Sequence, residues 1–412
     1  MNFEYFIAKR LIQGKRKSSA LSAPIVRIAI IAIAIGIMVM LVAVATGVGL
    51  QKKIREKVSA FNGHISISKY DTNNSEVSVQ PISINQTFYP KFNSISGIRH
   101  IQGVASKAGI IRTDSDFEGV IVKGVGKDYD WTYFRDFIEE GELPDYRTDT
   151  INRSVLMSTY LANRLGFSVG DKVIVYFLKN EGQKRPNVRA FQLSALFDSG
   201  LEQFDQTYIL SDIRHIQKLN KWQEDEIGNF EVYLDDFDQI DAKGDAIFEE
   251  IPSDLDTTPI TQKFYTIFEW LKLFDMNIVG IIGIMILVAG INMITALLVL
   301  ILERTQLIGM LKAMGATNWS IQKVFLYNAA YLVTIGLIWG NAIGILMLLI
   351  QKYIGFFELN PATYYVRTAP VYLNIGYILI LNLGTLLTCI LMLLIPSFVI
   401  SKIPPAKAIK FQ

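Results

Sequence analysis

Residues 25–49 read IVRIAIIAIAIGIMVMLVAVATGVG, with Arg27 as the one charged residue. A bilayer core of about 30 Å takes roughly 20 apolar residues as an α-helix, so this stretch is long enough to cross one. Three further runs of the same kind follow: 277–302 (NIVGIIGIMILVAGINMITALLVLIL), 325–350 (FLYNAAYLVTIGLIWGNAIGILMLLI) and 375–400 (IGYILILNLGTLLTCILMLLIPSFVI). Residues 50–276, between the first run and the second, have soluble composition.

The whole chain has 412 residues, of which 51% are hydrophobic and 19% charged. Soluble domains carry about 25% charge, and here the deficit is concentrated in the four runs. That excludes a fully soluble protein, a disordered chain and a fibrous repeat. A net charge of +2 gives no ground for nucleic-acid binding. The single cysteine, Cys389, rules out an intrachain disulfide, and His64, His100 and His215 lack metal-ligand spacing. Ala43-Val44-Ala45 resembles a signal-peptidase site. The apolar run exceeds the 7–15 residues of a cleavable signal and some 25 residues precede it, so an uncleaved anchor is expected.

Basic residues near the spans set orientation. Lys9, Arg10, Lys15, Arg16 and Lys17 precede span 1, and Arg27 stands at its start. Arg304, Lys312 and Lys323 lie between spans 2 and 3, and Lys402, Lys407 and Lys410 follow span 4. Both termini and the 303–324 loop are therefore expected in the cytoplasm and the 50–276 segment outside. Lys52, Lys53, Arg55 and Lys57 run against this, but long translocated domains are largely exempt. The expected fold is an integral membrane α-helical protein, four transmembrane helices with a large periplasmic α+β domain inserted between helices 1 and 2. Its segments are a cytoplasmic amphipathic N-terminal helix (1–24), span 1 (25–49), the outer domain with stalks (50–276), span 2 (277–302), a cytoplasmic loop (303–324), span 3 (325–350), a short outer loop (351–374), span 4 (375–400) and a cytoplasmic tail (401–412). In the first of these, Phe3, Phe6, Ile7 and Leu11 share one helical face, which suits a helix lying in the membrane surface.

Within the outer domain, β-branched and aromatic runs bounded by turn residues predict strands at 64–70, 119–126, 154–162, 171–179, 188–197, 206–211 and 229–236. Helices are expected at 211–220 and 238–250, a helical stalk at 51–61, a returning stalk from Pro259 to Asp275, and an exposed hairpin tip at 180–186. No catalytic constellation stands out. Asp235–Asp236 and Glu249–Glu250 are adjacent carboxylates that do not face each other, Asp114 and Asp116 have no companions, and Ser154 and Ser158 lack a nearby histidine. No G-x-x-x-x-G-K-[ST] occurs, so the chain is not itself a P-loop ATPase.

In the spans, Gly336, Gly340 and Gly344 recur every fourth residue, which permits close helix packing or a gating hinge. Asn292 sits mid-span and should meet another helix or a cavity. The span centres hold no acid or base, which argues against an ion-coupled carrier. In the 303–324 loop, Leu307, Ile308, Leu311 and Met314 form an apolar stripe, Gly315 is placed to end the helix, and Thr317 or Asn318 to cap the next. Such a helix should dock onto something or lie on the headgroups.

The residues Ile308-Gly309-Met310-Leu311-Lys312-Ala313-Met314-Gly315-Ala316 resemble the "I-x-x-L-(K/R)-x-(M/L)-G-A" loop of the transmembrane subunits of lipoprotein-releasing (Lol-type) ABC transporters, within the wider MacB/FtsX-like permease group. Gly290-Ile291-Asn292-Met293-Ile294 is similar to that family's "F-N-I" position, with Ile291 for the aromatic. Ile403-Pro404-Pro405-Ala406-Lys407-Ala408-Ile409 resembles its "I-x-P-A-x-x-L" ending, and Leu161–Gly166 with Gly170–Val173 its "L-A-x-x-L-G-x-x-x-G-D-x-V". The resemblance covers essentially the whole chain. It implies a permease subunit of an ATP-driven transporter that extracts acylated lipoproteins from the bacterial inner membrane and passes them to a periplasmic carrier. The partners would be two copies of a P-loop ATPase, which alone binds ATP and Mg, and a second permease subunit, the same chain or a paralogue. Leu307, Ile308, Leu311, Lys312, Met314, Gly315 and Ala316 would couple to the ATPase. Lipid tails would lie between spans 1 and 2, with Met40, Val44, Val48, Ile278, Ile282, Met285 and Asn292 as cavity residues inferred from position. The hairpin tip aligns with the loop that hooks the carrier in one of two paralogues, making Asn180, Gln183, Lys184 and Arg185 the carrier-contact candidates. The alternatives are a mechanotransmission permease driving an efflux partner or a cell-wall hydrolase, a receptor or scaffold without an ATPase, and a membrane enzyme.

Overall fold

The computed structural model describes residues 3–13, 22–70, 76–114, 116–177 and 186–402. The chain divides into two compact units. One holds residues 1–51, 270–358 and 368–412, the other 52–269 and 359–367. Among the described residues, four helices are long and apolar enough to cross a membrane, so the chain is a multi-pass membrane protein.

In chain order the elements are α1 (Phe3–Gln13), α2 (Ser22–Asn62), β1 (Ile65–Lys69), β2 (Ile82–Ser83), β3 (Ile98–Arg112), β4 (Phe117–Val125), β5 (Ile138–Gly141), β6 (Ser154–Ser158), α3 (Thr159–Leu165), β7 (Lys172–Phe177), β8 (Asn187–Phe197), α4 (Glu202–Asp205), β9 (Tyr208–Asp212), α5 (Ile213–Asn220), β10 (Glu226–Ile227), β11 (Asn229–Leu234), α6 (Ile240–Glu250), β12 (Leu255–Pro259), α7 (Ile260–Lys263), α8 (Tyr265–Glu303), α9 (Thr305–Ala313), α10 (Asn318–Ile354), α11 (Pro361–Tyr364) and α12 (Ile375–Ser397).

In the membrane unit α2, α8, α10 and α12 pack as a bundle around Ile33, Ile37, Met40, Met293, Phe325, Cys389 and Leu393. Small residues let the backbones approach. A Cβ at Gly336 would stand 2.7 Å from Ile33 Cγ2, and one at Gly344 3.3 Å from Leu41 Cδ1. At Gly340 it would overlap Ile37 and stand 2.5 Å from the carbonyl oxygen of Ala34. The glycine row of α10 is thus the groove in which α2 lies. Gly47 opens α2 to Ile278 of α8, and Gly290 opens α8 to Met392 of α12. Between α10 and α12 the amides of Asn341 and Asn382 donate to each other's oxygen at 2.6 and 3.0 Å. Outside the apolar stretch, Gln51 donates to Asp275 Oδ1 (2.8 Å) and to the Leu271 carbonyl (3.2 Å). α1 packs on α10 through Glu4 and Ala8, with Ser320 Oγ donating to Glu4 (2.8 Å), while Phe3 and Phe6 are exposed.

The inserted unit is built on a ten-stranded sheet. β3 pairs β4, β4 pairs β9, β9 pairs β6, β6 pairs β8, β8 pairs β7 and β7 returns to β3, so these strands close a ring. Closure removes free edges. β3 can serve two neighbours because it runs 15 residues. Its first half pairs β11 and a later stretch pairs β7. Beyond β11 come β1 and then the edge strand β12. That edge is blunted. Ile260 N–H bonds the His64 carbonyl and Tyr70 N–H the Asp254 carbonyl at the two ends of β1, so the backbone N–H positions of Leu255, Thr257 and Pro259 point away from it. The Leu255 N–H goes to the Pro252 carbonyl (2.9 Å), that of Thr257 to Asp256 Oδ1 (2.8 Å), and proline has none.

The predicted strand at 154–162 is a strand only to Ser158. Ser158 Oγ then accepts from the Leu161 N–H and starts α3, which ends at Gly166 with φ +74°. Leu161, Ala162 and Leu165 are buried and Gly170 N–H bonds the Leu193 carbonyl. The L-A-x-x-L-G…G-D stretch is therefore a helix stop followed by a turn. The "stalk" 51–61 is the continuation of α2, a single helix of 41 residues.

The last carbonyls of α2 are buried against the sheet. Lys123 Nζ donates to the Phe61 carbonyl and to Glu231 Oε1, both at 2.6 Å, while Tyr129 and Tyr233 reach the carbonyls of Ala60 and Ser59. Glu231 also accepts from Gln102 (2.8 Å). A cation is well placed at a helix C-terminus, and burial holds the Lys123 ammonium below its ordinary pKa. His64 is buried too. Its Nδ1 accepts from the Leu234 N–H (2.9 Å), and burial lowers its pKa to about 4. Burial raises Asp205 to about 6, against hydrogen bonds from Ser199. Residues 359–367 belong to this unit: Lys57 Nζ donates to the Tyr365 carbonyl (2.9 Å), and Arg367 pairs with Asp198 and Glu139.

Candidate functional site

The segment between α8 and α10 is the candidate coupling surface. α8 stops at Glu303, α9 follows, and Gly315 at φ +91° turns the chain. Thr317 Oγ1 then accepts from the Ser320 N–H to start α10. The apolar stripe does not act as one face. Ile308 and Leu311 are 0% and 3% exposed, and with Leu307 and Ala316 they pack into the chain's own bundle. Met310 and Met314 face outward at 51% and 75%, with Trp319 also exposed. Lys312 turns inward as well. Its Nζ donates to the Ile400 carbonyl (2.7 Å) and lies 3.4 Å from that of Ser401, and burial lowers its pKa. It closes the end of the turn that follows α12, where a cation meets the negative helix terminus. One side of α9 is thus welded to the bundle and the other is offered outward.

The positions inferred for lipid fall differently. Met40 is fully buried and Val44 nearly so. Val48, Ile278, Ile282 and Met285 are half-buried at the seam where α2 meets α8. They are packing residues, because Gly47 lets Ile278 close that seam. The faces this chain leaves uncovered carry Ile28, Ile31 and Ile35 on α2, and Val279, Ile284, Leu287 and Ile291 on α8. Among the described residues, nothing lies within 4 Å of a Cβ at Gly280 or Gly283 on the same helix. Asn292 donates to the Val288 carbonyl of its own helix (3.0 Å). The amides that do bridge helices, Asn341 and Asn382, were not singled out by sequence. Their mutual placement depends on the pairing of α10 with α12, which no local signal shows.

Asn180, Gln183, Lys184 and Arg185 lie outside the described residues. His64 and His100 both pack on Tyr233 (ring centroids 5.6 and 6.3 Å) and His215 on Phe191 (4.8 Å), and the described residues hold no group of three or more His, Cys, Asp or Glu able to bind a metal.

Residues 28–247 match the MacB-like periplasmic core domain and residues 279–405 the FtsX-like permease C-terminal region. The chain is 24% identical to the lipoprotein-releasing system transmembrane protein LolC of Haemophilus influenzae, over 69% of this chain and 68% of that one. It is 21% identical to the LolC of Neisseria meningitidis serogroup B, over 100% of both. The solved periplasmic region of MacB from Actinobacillus actinomycetemcomitans is 16% identical, covers 49% of this chain and 91% of that one, and gives a TM-score of 0.34.

Proposed function

Since the chain belongs to the MacB-like periplasmic core domain family and continues into an FtsX-like permease region, we propose that it is the permease subunit of an ATP-driven transporter that lifts acylated lipoproteins out of the bacterial inner membrane and passes them to a periplasmic carrier. The observation that carries this reading is the full-length match to a relative named for lipoprotein release. The inserted domain would lie in the periplasm and both termini in the cytoplasm, a reading supported by the basic residues before α2 and after α12. ATP and Mg would bind a separate P-loop ATPase, present in two copies, with a second permease subunit completing the assembly.

The geometry of α9 supports the coupling role. Met310 and Met314 present adaptable apolar surface that a partner can cover. Ile308, Leu311 and Lys312 tie that surface to α10 and α12, so a push on it moves the bundle. The uncovered faces of α2 and α8 are where acyl chains and the second permease subunit would lie. The seam residues Met40 to Met285 would reach lipid only when α2 and α8 part.

Purification of the full chain from its native membrane in mild detergent, with mass spectrometry of what accompanies it, tests the reading. A stoichiometric P-loop ATPase together with acylated lipoproteins is expected. An ATPase accompanied by a cell-wall hydrolase or efflux adaptor, without lipoprotein, would replace it with a mechanotransmission permease. Absence of any ATPase would overturn both.

A further inference from the structure

Inside the inserted domain lies a cavity of about 520 Å³, bounded by residues 76–80 and by one face of the sheet. Those residues are strapped down. Ser78 N–H donates to the Ser106 carbonyl (2.8 Å), Ser106 N–H to Ser78 Oγ (2.9 Å), and Glu76 accepts from Tyr208 (2.6 Å) and Lys263 (2.9 Å). The floor carries Ser66 and Ser68 of β1, Asn229 of β11 and Thr258 of β12. The register places these on one face. Such side chains repeat about 6.6 Å along a strand and about 4.8 Å across it, which is also the repeat of the amide groups in an extended polypeptide. The wall carries three cations and three anions: Lys123 pairs with Glu231, Lys263 with Glu76, and Lys69 and Asp256 add one charge of each sign.

Asn62, the last residue of α2, lines this cavity and is only 5% exposed. Its Oδ1 accepts from Lys263 Nζ (2.9 Å), while its Nδ2 has no acceptor among the described residues. Buried donors are nearly always satisfied, and leaving one unmade is costly. We propose that the cavity binds an extended, uncharged polypeptide segment by its main chain, with Asn62 Nδ2 donating to one of its carbonyl oxygens. Resting on the function proposed above, that segment is the stretch of polypeptide adjoining the acylated end of the transported lipoprotein. Other ligand classes fit the wall less well. An acyl chain would strand the serine hydroxyls and the Asn62 amide. An anion would meet Glu76, Glu231 and Asp256. A sugar would want an open ring face, and the rings present, Phe61 and Tyr208, are buried.

The test is a titration of the full chain in detergent with a fluorescent, non-acylated nine-residue peptide of Ser, Gly and Asn, read by anisotropy. Saturable binding is expected. Asn62→Asp keeps the acceptor for Lys263 and removes the donor, and should raise Kd about tenfold, the worth of one hydrogen bond. No saturable binding, or an unchanged Kd in Asn62→Asp, overturns the proposal. A second arm does not depend on that variant folding. Gln80→p-benzoylphenylalanine places a photo-crosslinker in the cavity wall of the intact complex. Capture of the lipoprotein's polypeptide supports the proposal, and failure to capture a lipoprotein that co-purifies overturns it. If no lipoprotein co-purifies, the transport reading fails by itself and the peptide titration still decides the cavity.

Discussion

Replacing Gly340 by alanine puts a methyl group where α2 already stands. The new Cβ would overlap Ile37 and lie 2.5 Å from the carbonyl oxygen of Ala34 and 3.0 Å from its Cα. Two of those three atoms are backbone, so no side-chain rotation relieves them, and α10 must back away by about 1 Å. A gap of that size forfeits a quarter to a half of each dispersion contact along the seam, and overpacking of this kind costs about 1–3 kcal/mol. Alanine's better helix propensity returns about 1 kcal/mol, so Gly340→Ala should destabilise the bundle by up to about 2 kcal/mol. The same change elsewhere has the opposite balance. At Gly344 the nearest atoms are a leucine methyl at 3.3 Å and Met38 Cα at 3.4 Å, and at Gly384 none of the described residues lies within 4 Å. Gly344→Ala should be near neutral and Gly384→Ala neutral to slightly stabilising. Unfolding of the full chain by SDS titration in mild detergent, followed by tryptophan fluorescence, ranks the three. If Gly340→Ala unfolds at the same SDS fraction as Gly384→Ala, the close approach of α10 to α2 is refuted.

Further outcomes follow from the same geometry. Met314→Asp should leave the chain folded and abolish co-purification of the proposed ATPase, whereas Leu311→Asp should lower the yield of folded chain itself. An intact ATPase complex in Met314→Asp would remove the outward face of α9 from the interface. Lys123→Met leaves Glu231 charged and buried without its cation and should cost about 3–5 kcal/mol, with Lys123→Met/Glu231→Leu recovering most of it. A single variant as stable as the parent by thermal melting would show that the pair does not fasten α2. His64 and Asp205 oppose each other with pH. The lowered His64 pKa contributes stability that is full above pH 6.5 and is lost as pH falls toward about 4. The raised Asp205 pKa contributes stability that is full below its unfolded value and is lost as pH rises through about 6. Each amounts to about 3 kcal/mol. Melting of Asp205→Asn should therefore fall from pH 6.5 to 4, and that of His64→Gln should rise; parallel profiles for the two variants would contradict both assignments.

The four spans were legible because length and apolarity alone decide them in a bilayer. Most strands were legible from β-branched runs. The longest one, β3, was not. Gly103, Ser106, Lys107 and Gly109 break its pattern, and they are tolerated because strands flank it on both sides and partners such as Asn220, bonded to Lys107 (2.6 Å), absorb the polar groups. The overrun past Ser158 had a local signal, a serine cap with a glycine stop seven residues after the helix begins. The stripe on α9 was read as a single docking face because periodicity reports which residues are apolar, not whose surface they cover. Leu311 and Met314 differ only in what the rest of the chain places beside them. For the same reason Asn292 drew notice by its depth, while Asn341 and Asn382, which do join helices, did not.

Lys312 has a consequence for handling the protein. By holding the Ile400 carbonyl at 2.7 Å, it fixes the point where the chain leaves Lys402 directly alongside α9. The chain beyond that point, and any affinity tag or fluorescent fusion attached after it, therefore departs from beside the surface of α9 assigned above to the proposed ATPase. A bulky C-terminal fusion on a short linker should act as a competitive plug and a long linker should relieve it, so the choice of tag is itself an experimental variable.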